Sequence, residues 1–240
     1  MIIPCIDLMG GVVVQLVQGR AKALEAGDAV AMLNSFAGFS QVQVIDLDAA
    51  IGQGSNEAIL ADLAGRARIR AGGGVRTVEK ARRLIDLGVE RIILGTAAFT
   101  SGGVDHDFLR ALTMSVAKEA ISIALDSKEG RIVVKGWRES LTVSAVDVIR
   151  ELEPYCGGFL CTYVDKEGMM QGTDLAWFRR LRAATAHEIT AAGGITTYEE
   201  IRALQQMNVH AALGMALYTG RLELAQLAAM QSEEDLRRAN

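Results

Sequence analysis

The chain repeats its own punctuation at half its length. Ile6-Asp7 recurs as Leu125-Asp126, Gly73-Gly74 as Gly193-Gly194, and Gly95 with Ala97 as Gly214 with Ala216, at displacements of 119, 120 and 119 in a chain of 240 residues. A repeat of that period describes two copies of one large supersecondary unit. Each copy brings a carboxylate followed by two glycine-rich turns, which predicts a site with two acids and two phosphate sockets.

Short apolar runs suited to strands buried on both faces alternate with amphipathic stretches of helical length. The strands are expected at Met1 to Ile6, Gln43 to Asp46, Arg68 to Ala71, Arg91 to Leu94, Ala120 to Leu125, Gly158 to Cys161, Glu188 to Ala191 and Ala211 to Leu213. Helical patterns lie between them at Asp28 to Phe36, Asn56 to Ala64, Thr77 to Leu87, Val143 to Leu152, Leu175 to Ala184 and Thr197 to Gln206. Asp28, Thr77 and Thr197 are N-cap candidates, the last two followed by Lys80 and Glu200 rather than by an ideal capping box. Strand-helix alternation enforces right-handed crossovers and a parallel sheet, and eight units is the number that closes. The expected fold is therefore α/β, a single (β/α)8 TIM barrel over 1–240 with half-barrels of about 1–118 and 119–240. An open doubly wound sheet would carry its glycine fingerprint after the first strand, where Asp7-Leu8-Met9-Gly10-Gly11 has none.

Loops after the strands build the site in such a barrel. Asp7 ends strand one and Asp126 ends strand five, on opposite sides of the mouth. Two facing carboxylates in one cavity can take different pKa values, one serving as base and the other as acid. A lone Asp there would as readily cap its own loop; the repeat-related pair favours chemistry. The turns containing Gly73, Gly74 and Arg76, and Gly95 and Thr96, follow strands three and four. Those containing Gly193 and Gly194, and Gly214 and Met215, follow strands seven and eight. Glycine lets backbone N–H groups approach a phosphate, and a helix start behind the turn adds a favourable dipole. Two such sets imply a substrate with a phosphate at each end and the acids near its middle.

The loop from Thr162 to Gly172 after strand six is polar and glycine-bounded, long enough to fold over a ligand. Thr162 can orient a hydroxyl or a carboxylate, and Gly172 closes the loop as a further anion-binding candidate. Glu167 admits two readings, a second acid or a solvated charge. Trp137, after Gly136, either stacks on a planar heterocycle or packs locally. The histidines lack metal-ligand spacing and no metal is expected; Met169, Met170, Met207 and Met215 read as packing residues.

Composition narrows the class. Half the residues are apolar and only two are proline, enough for a large core without a Pro-rich linker. Only the polar tail Gln231 to Asn240 is expected to be disordered. The net charge of -4, with no Lys/Arg run longer than two residues, offers no footprint for nucleic acid or an anionic membrane. Cys5, Cys156 and Cys161 are odd in number and lack redox spacing, which suits core positions in a reducing compartment. Met1 to Cys5 is too short for a signal segment, and no run approaches a membrane span. A soluble, cytoplasmic, monomeric protein with a small-molecule partner is the expectation.

Ile3-Pro4-Cys5-Ile6-Asp7-Leu8, Val44-Ile45-Asp46-Leu47-Asp48, Gly72-Gly73-Gly74-Val75-Arg76, Ala124-Leu125-Asp126, Gly136-Trp137 and Gly193-Gly194-Ile195 together resemble the ProFAR isomerases (HisA) of histidine biosynthesis, over roughly residues 1–230. The resemblance implies a half-barrel duplication, a bisphosphorylated ribonucleotide substrate and a cofactor-free Amadori rearrangement. It also implies Asp7 as base and Asp126 as donor, with the strand-six loop offering a rival donor. Family members commonly carry Asp where Glu167 and Tyr163 stand here. The related cyclases (HisF) share both aspartates, but Met9 stands where they carry Lys. Dual-substrate isomerases (PriA) resemble the stretch Asp46 to Asn56, and a noncatalytic phosphoribosyl-binding protein would retain the sockets alone.

Overall fold

The computed structural model describes residues 1–17 and 21–239. Eight parallel strands close on themselves: β1 (Ile2–Met9), β2 (Val42–Asp46), β3 (Ile69–Gly72), β4 (Arg91–Leu94), β5 (Ile121–Ala124), β6 (Gly158–Thr162), β7 (Glu188–Ala192) and β8 (His210–Leu213). Each pairs with the next, and β8 pairs with β1 through Ile2 opposite Ala211 and Pro4 opposite Leu213. Around them run α1 (Ala29–Ser35), α2 (Glu57–Ala64), α3 (Val78–Asp86), α4 (His106–Thr113), α5 (Ala145–Leu152), α6 (Leu175–Ala184), α7 (Tyr198–Gln206) and α8 (Leu224–Ala239). This is the expected barrel, with strand boundaries moved by at most three residues. Among the described residues no helix is long and apolar enough to cross a membrane.

Alternation along each strand sorts the side chains. Ile6 and Leu8 face outward into the large apolar layer beneath the helices, whereas Cys5 faces the barrel axis with Ile93, Ala124, Leu160 and Ala212. Below that apolar ring lies a polar layer. Arg70, fully buried, donates to Glu188 Oε1 at 2.9 Å and Thr190 Oγ1 at 2.8 Å, and Arg91 reaches the same glutamate at 2.6 Å. All three cysteines are buried and free.

Three expectations change. First, β1 does not end at Ile6: it continues to Met9 and folds back through Gly10 and Gly11, both at positive φ, onto Val12–Val17, which pairs with Ala21–Gly27. Consecutive left-handed residues are what a two-residue hairpin turn requires. Asp7 therefore sits within a strand, opposite Val14 on one side and Ile45 on the other. Second, the tail expected to be disordered is, as far as Ala239, part of α8, and Asn240 lies outside the described residues. Leu227, Met230 and Gln231 share the helix's buried face, and Gln231 Oε1 accepts the Ile2 N–H at 2.6 Å; the polar composition belongs to the solvent side. Third, Thr197 and Glu200 do form a reciprocal capping box, as do Ser144 and Asp147.

The two halves match in backbone detail. Gly73 and Gly193 have φ of 101° and 94°, and Gly74 and Gly194 of 67° and 74°. Gly95 and Gly214 share another unusual conformation, with φ, ψ of -101°, -113° and -114°, -102°.

Candidate active site

The inward parity that places Cys5 and Ala124 in the apolar ring carries Asp7 and Asp126 one pleat higher, to the C-terminal mouth. Thr162 follows Leu160 in the same way on β6. These side chains, with Glu167 from the following loop, line a cavity of about 980 Å³, at the upper end of small-molecule sites, ~300–1,000 Å³. Glu167 thus faces the cavity, while Lys166 turns to Gln171 Oε1 at 3.4 Å.

The three acids differ in surroundings. Burial pushes Asp7 up to about 7; among the described residues its hydrogen-bonding side chain is Gln15, whose Nε2 lies 3.4 Å from Oδ2. Burial also raises Asp126, but two donors favour its charged form: Trp137 Nε1–H at 2.8 Å from Oδ2, and the Thr162 hydroxyl. Glu167 is pushed up to about 7, first by burial and then by the charges of Asp7 and Asp126. A cavity in which two donors favour the charged form of one carboxyl, beside two carboxyls poised near neutrality, can both donate and accept protons.

The glycine turns frame this group. Gly73, Gly74, Arg76, Gly95 and Thr96 line one side of the cavity, and Gly193, Gly194, Gly214 and Met215 line the other. Strands three and four lie across the barrel from seven and eight, so the two sets face each other over the acids. Arg76 directs part of its guanidinium to the carbonyls of Ala49 and Ala50, at 3.2 and 2.5 Å, and the Thr96 hydroxyl accepts the Lys135 N–H at 2.8 Å. Gly172 is not among the lining residues. It stands behind Gly194, where a Cβ on Gly194 would lie 2.5 Å from the Gly172 carbonyl oxygen.

Close approach explains why glycine is needed at Gly193. A Cβ there would lie 2.4 Å from the Tyr163 carbonyl oxygen, at a φ of 94° that side chains rarely adopt. Gly193→Ala is expected to destabilise the protein by about 1–3 kcal/mol in urea melts and to weaken binding of inorganic phosphate, measured by calorimetry. Unchanged stability and phosphate affinity would remove the close-approach account.

One site residue was not legible as such, and Trp137 took a role that neither reading of it named. Gln15, buried on the hairpin, lines the cavity between Asp7 and Gly214; its one signal is a lone amide in the apolar run Val12 to Val17. Trp137 lines the cavity and, at a φ of 63°, aims its indole N–H at Asp126. Met170, read as packing, also faces the cavity. Tyr163 lies with its ring 5.8 Å from that of Trp177, and it caps Val164–Lys166 without a side-chain hydrogen bond.

The model of the family described as histidine biosynthesis protein matches residues 1–223. A protein of Methanocaldococcus jannaschii is 36% identical over 93% of this chain and 95% of its own length. Relatives from Gemmatimonas aurantiaca, 36% identical over 94% of this chain and 97% of theirs, and Alkaliphilus metalliredigens, 35% over 95% and 98%, carry the same name. That name is 1-(5-phosphoribosyl)-5-((5-phosphoribosylamino)methylideneamino) imidazole-4-carboxamide isomerase. With its closed barrel and full-length match, the chain belongs to the histidine biosynthesis protein family.

Proposed function

We propose that this protein isomerises the bisphosphorylated ribonucleotide named for its relatives, converting an aminoaldose to an aminoketose. The observation that carries the reading is the pair of facing glycine-turn sets with three carboxyls between them. The compound in the relatives' name has two phosphoribosyl groups, so one phosphate falls to each set and the reacting ribose to the acids. Backbone N–H groups at such turns bind phosphate without a metal or a basic patch. The enzyme acts on this small molecule as a cytoplasmic monomer.

The rearrangement needs a proton on the ring oxygen, so that the C1–O bond breaks and the exocyclic nitrogen forms a protonated Schiff base at C1. A base then removes the C2 proton, and the electron pair neutralises the iminium to give an enolamine. Return of a proton to C1 and loss of the C2 hydroxyl proton give the ketone; atoms and electrons balance without a redox partner. Asp7 serves as base. Trp137 and Thr162 favour the charged form of Asp126, which stabilises the iminium, and Glu167 carries the proton of the donor side.

Incubating the pure protein with ProFAR and, separately, with phosphoribosylanthranilate tests the reading. Turnover of the first is expected, and binding without turnover of either would overturn it. In single-turnover assays Glu167→Gln is expected to stop ring opening while Asp126→Asn leaves a slow phase. The reverse order would assign the donor to Asp126, the role the family resemblance implies.

A further inference from the structure

The two halves fasten their strand-two and strand-six loops by different means. In the first half the loop after β2 is closed by its own first residue: the Asp46 carboxylate accepts the Ala49 N–H at 3.1 Å, the Asn56 N–H at 2.7 Å and the Asn56 amide at 2.8 Å. Tyr163 occupies the corresponding place in the second half, where a Cβ on Gly193 meets its carbonyl as one on Gly73 meets that of Asp46. A phenol cannot accept those N–H groups and pack on Trp177 at once.

The missing carboxylate comes from the next unit. Glu200 Oε1 accepts the Thr173 N–H at 2.6 Å, at the far end of the strand-six loop. Its Oε2 accepts the N–H groups of Thr196 at 2.9 Å and Thr197 at 3.1 Å, at the turn after β7. Lys80, the residue at the matching position of α3, instead binds Glu57 Oε2 at 2.5 Å. The Gly172 carbonyl pressed against Gly194 makes the same junction tight. Glu167 therefore rides on a loop whose closing hydrogen bond runs to the phosphate-side turn rather than to the loop's own strand.

We propose that Glu200 is a positioning residue: its carboxylate ties the loop bearing Glu167 to the turn Gly193–Thr196, so that an anion seated on that turn fixes Glu167 over the cavity. The role rests on the isomerase reading only in what Glu167 then does. Coupling needs two acceptors on one group, which a carboxylate supplies and an amide does not. In Glu200→Gln the amide oxygen keeps the Thr196 and Thr197 N–H groups, and its NH2 then faces the Thr173 N–H, donor against donor.

Hydrogen exchange of residues 163–173, with and without inorganic phosphate, reads the coupling directly, and steady-state kinetics with ProFAR reads its consequence. In the wild type phosphate is expected to slow exchange in both the turn and the loop; in Glu200→Gln it slows exchange in the turn alone. Glu200→Gln is expected to lower kcat by about tenfold or more, since small misplacements of a reacting group carry costs of that order. KM is expected to change by less than about threefold, because binding and positioning separate in this way. Release of the loop also lets water reach Glu167, moving the upper limb of the pH profile down from near neutrality. Thr197→Ala, which removes the hydroxyl that accepts the Glu200 N–H at 3.2 Å and donates to Glu200 Oε2 at 3.3 Å but leaves the Thr173, Thr196 and Thr197 N–H groups on the carboxylate, controls for a weakened helix start. It should lower the melting temperature yet leave kcat within about twofold, as the loss of a cap alone does. Loop protection by phosphate that survives in Glu200→Gln, or is missing from the wild type, overturns the proposal. So does an equal fall in kcat in the two variants. If the wild type does not turn over ProFAR, the isomerase reading fails while the exchange measurement still decides the role of Glu200.

Discussion

Replacing Asp7 by asparagine is expected to lower kcat for ProFAR by roughly 10²–10⁴-fold, the usual contribution of a positioned general base, with KM little changed. The same substitution should stabilise the protein at neutral and higher pH. Asp7 is pushed up to about 7 by burial, so the folded state holds its proton more tightly than the unfolded chain does. Its contribution is then most favourable below the unfolded pKa, about 4, and is lost as pH rises through about 7. Asparagine removes that penalty. A gain of about 1–3 kcal/mol at pH 8, shrinking towards zero near pH 4, is expected from urea melts at the two pH values. Near-normal turnover would remove Asp7 as the base, and equal stability changes at both pH values would contradict the burial argument. On the proposed assignment Asp7 works ionised and Glu167 protonated while both titrate near 7, so kcat/KM for the wild type should peak around neutrality.

Arg70→Met is expected to cost the most stability of any single change outside the site, about 3–5 kcal/mol, the range for breaking a buried pair on one side. Methionine fills much of the space of the arginine stem, so the loss reports the missing charge and hydrogen bonds rather than a cavity. It leaves Thr190 without its donor and Glu188 with Arg91 as its remaining arginine partner. Burial alone would raise Glu188, but His210, Arg70 and Arg91 outweigh it and hold its carboxyl well below the usual range. A depressed carboxylate stabilises above the unfolded pKa and loses that contribution as pH falls towards the folded one. The deficit of Arg70→Met should therefore narrow below about pH 4. A variant as stable as wild type at pH 7 would show that Arg91 alone satisfies Glu188.

The barrel was legible because its signals are local. Apolar runs such as Arg91 to Leu94, helix starts such as Thr77, and glycine turns at fixed distances after the strands each report on a few neighbouring residues. The hairpin after β1 was missed although Gly10-Gly11 between two apolar runs is a hairpin signal, because a fold read as strand then helix left no place for two antiparallel strands. The tail of α8 was misread for a related reason: Gln231 looks polar in the chain, but its amide closes the backbone of Ile2.

By itself the sequence determined the half-chain repeat, the eight strand-helix units, and the placing of Asp7, Asp126 and two pairs of glycine turns at one end of a barrel. Those follow from backbone periodicity and from conformations that glycine alone adopts freely, both properties of adjacent residues. The surroundings that set each acid's protonation were decided only in three dimensions. Protonation depends on burial and on partners far apart in the chain: Trp137 on Asp126, Gln15 on Asp7, and the two aspartates on Glu167. The Arg70–Glu188 pair and the Thr173–Glu200 tie join different strands and loops. The repeat set the positions of the two halves alike, and these long-range contacts made them chemically different.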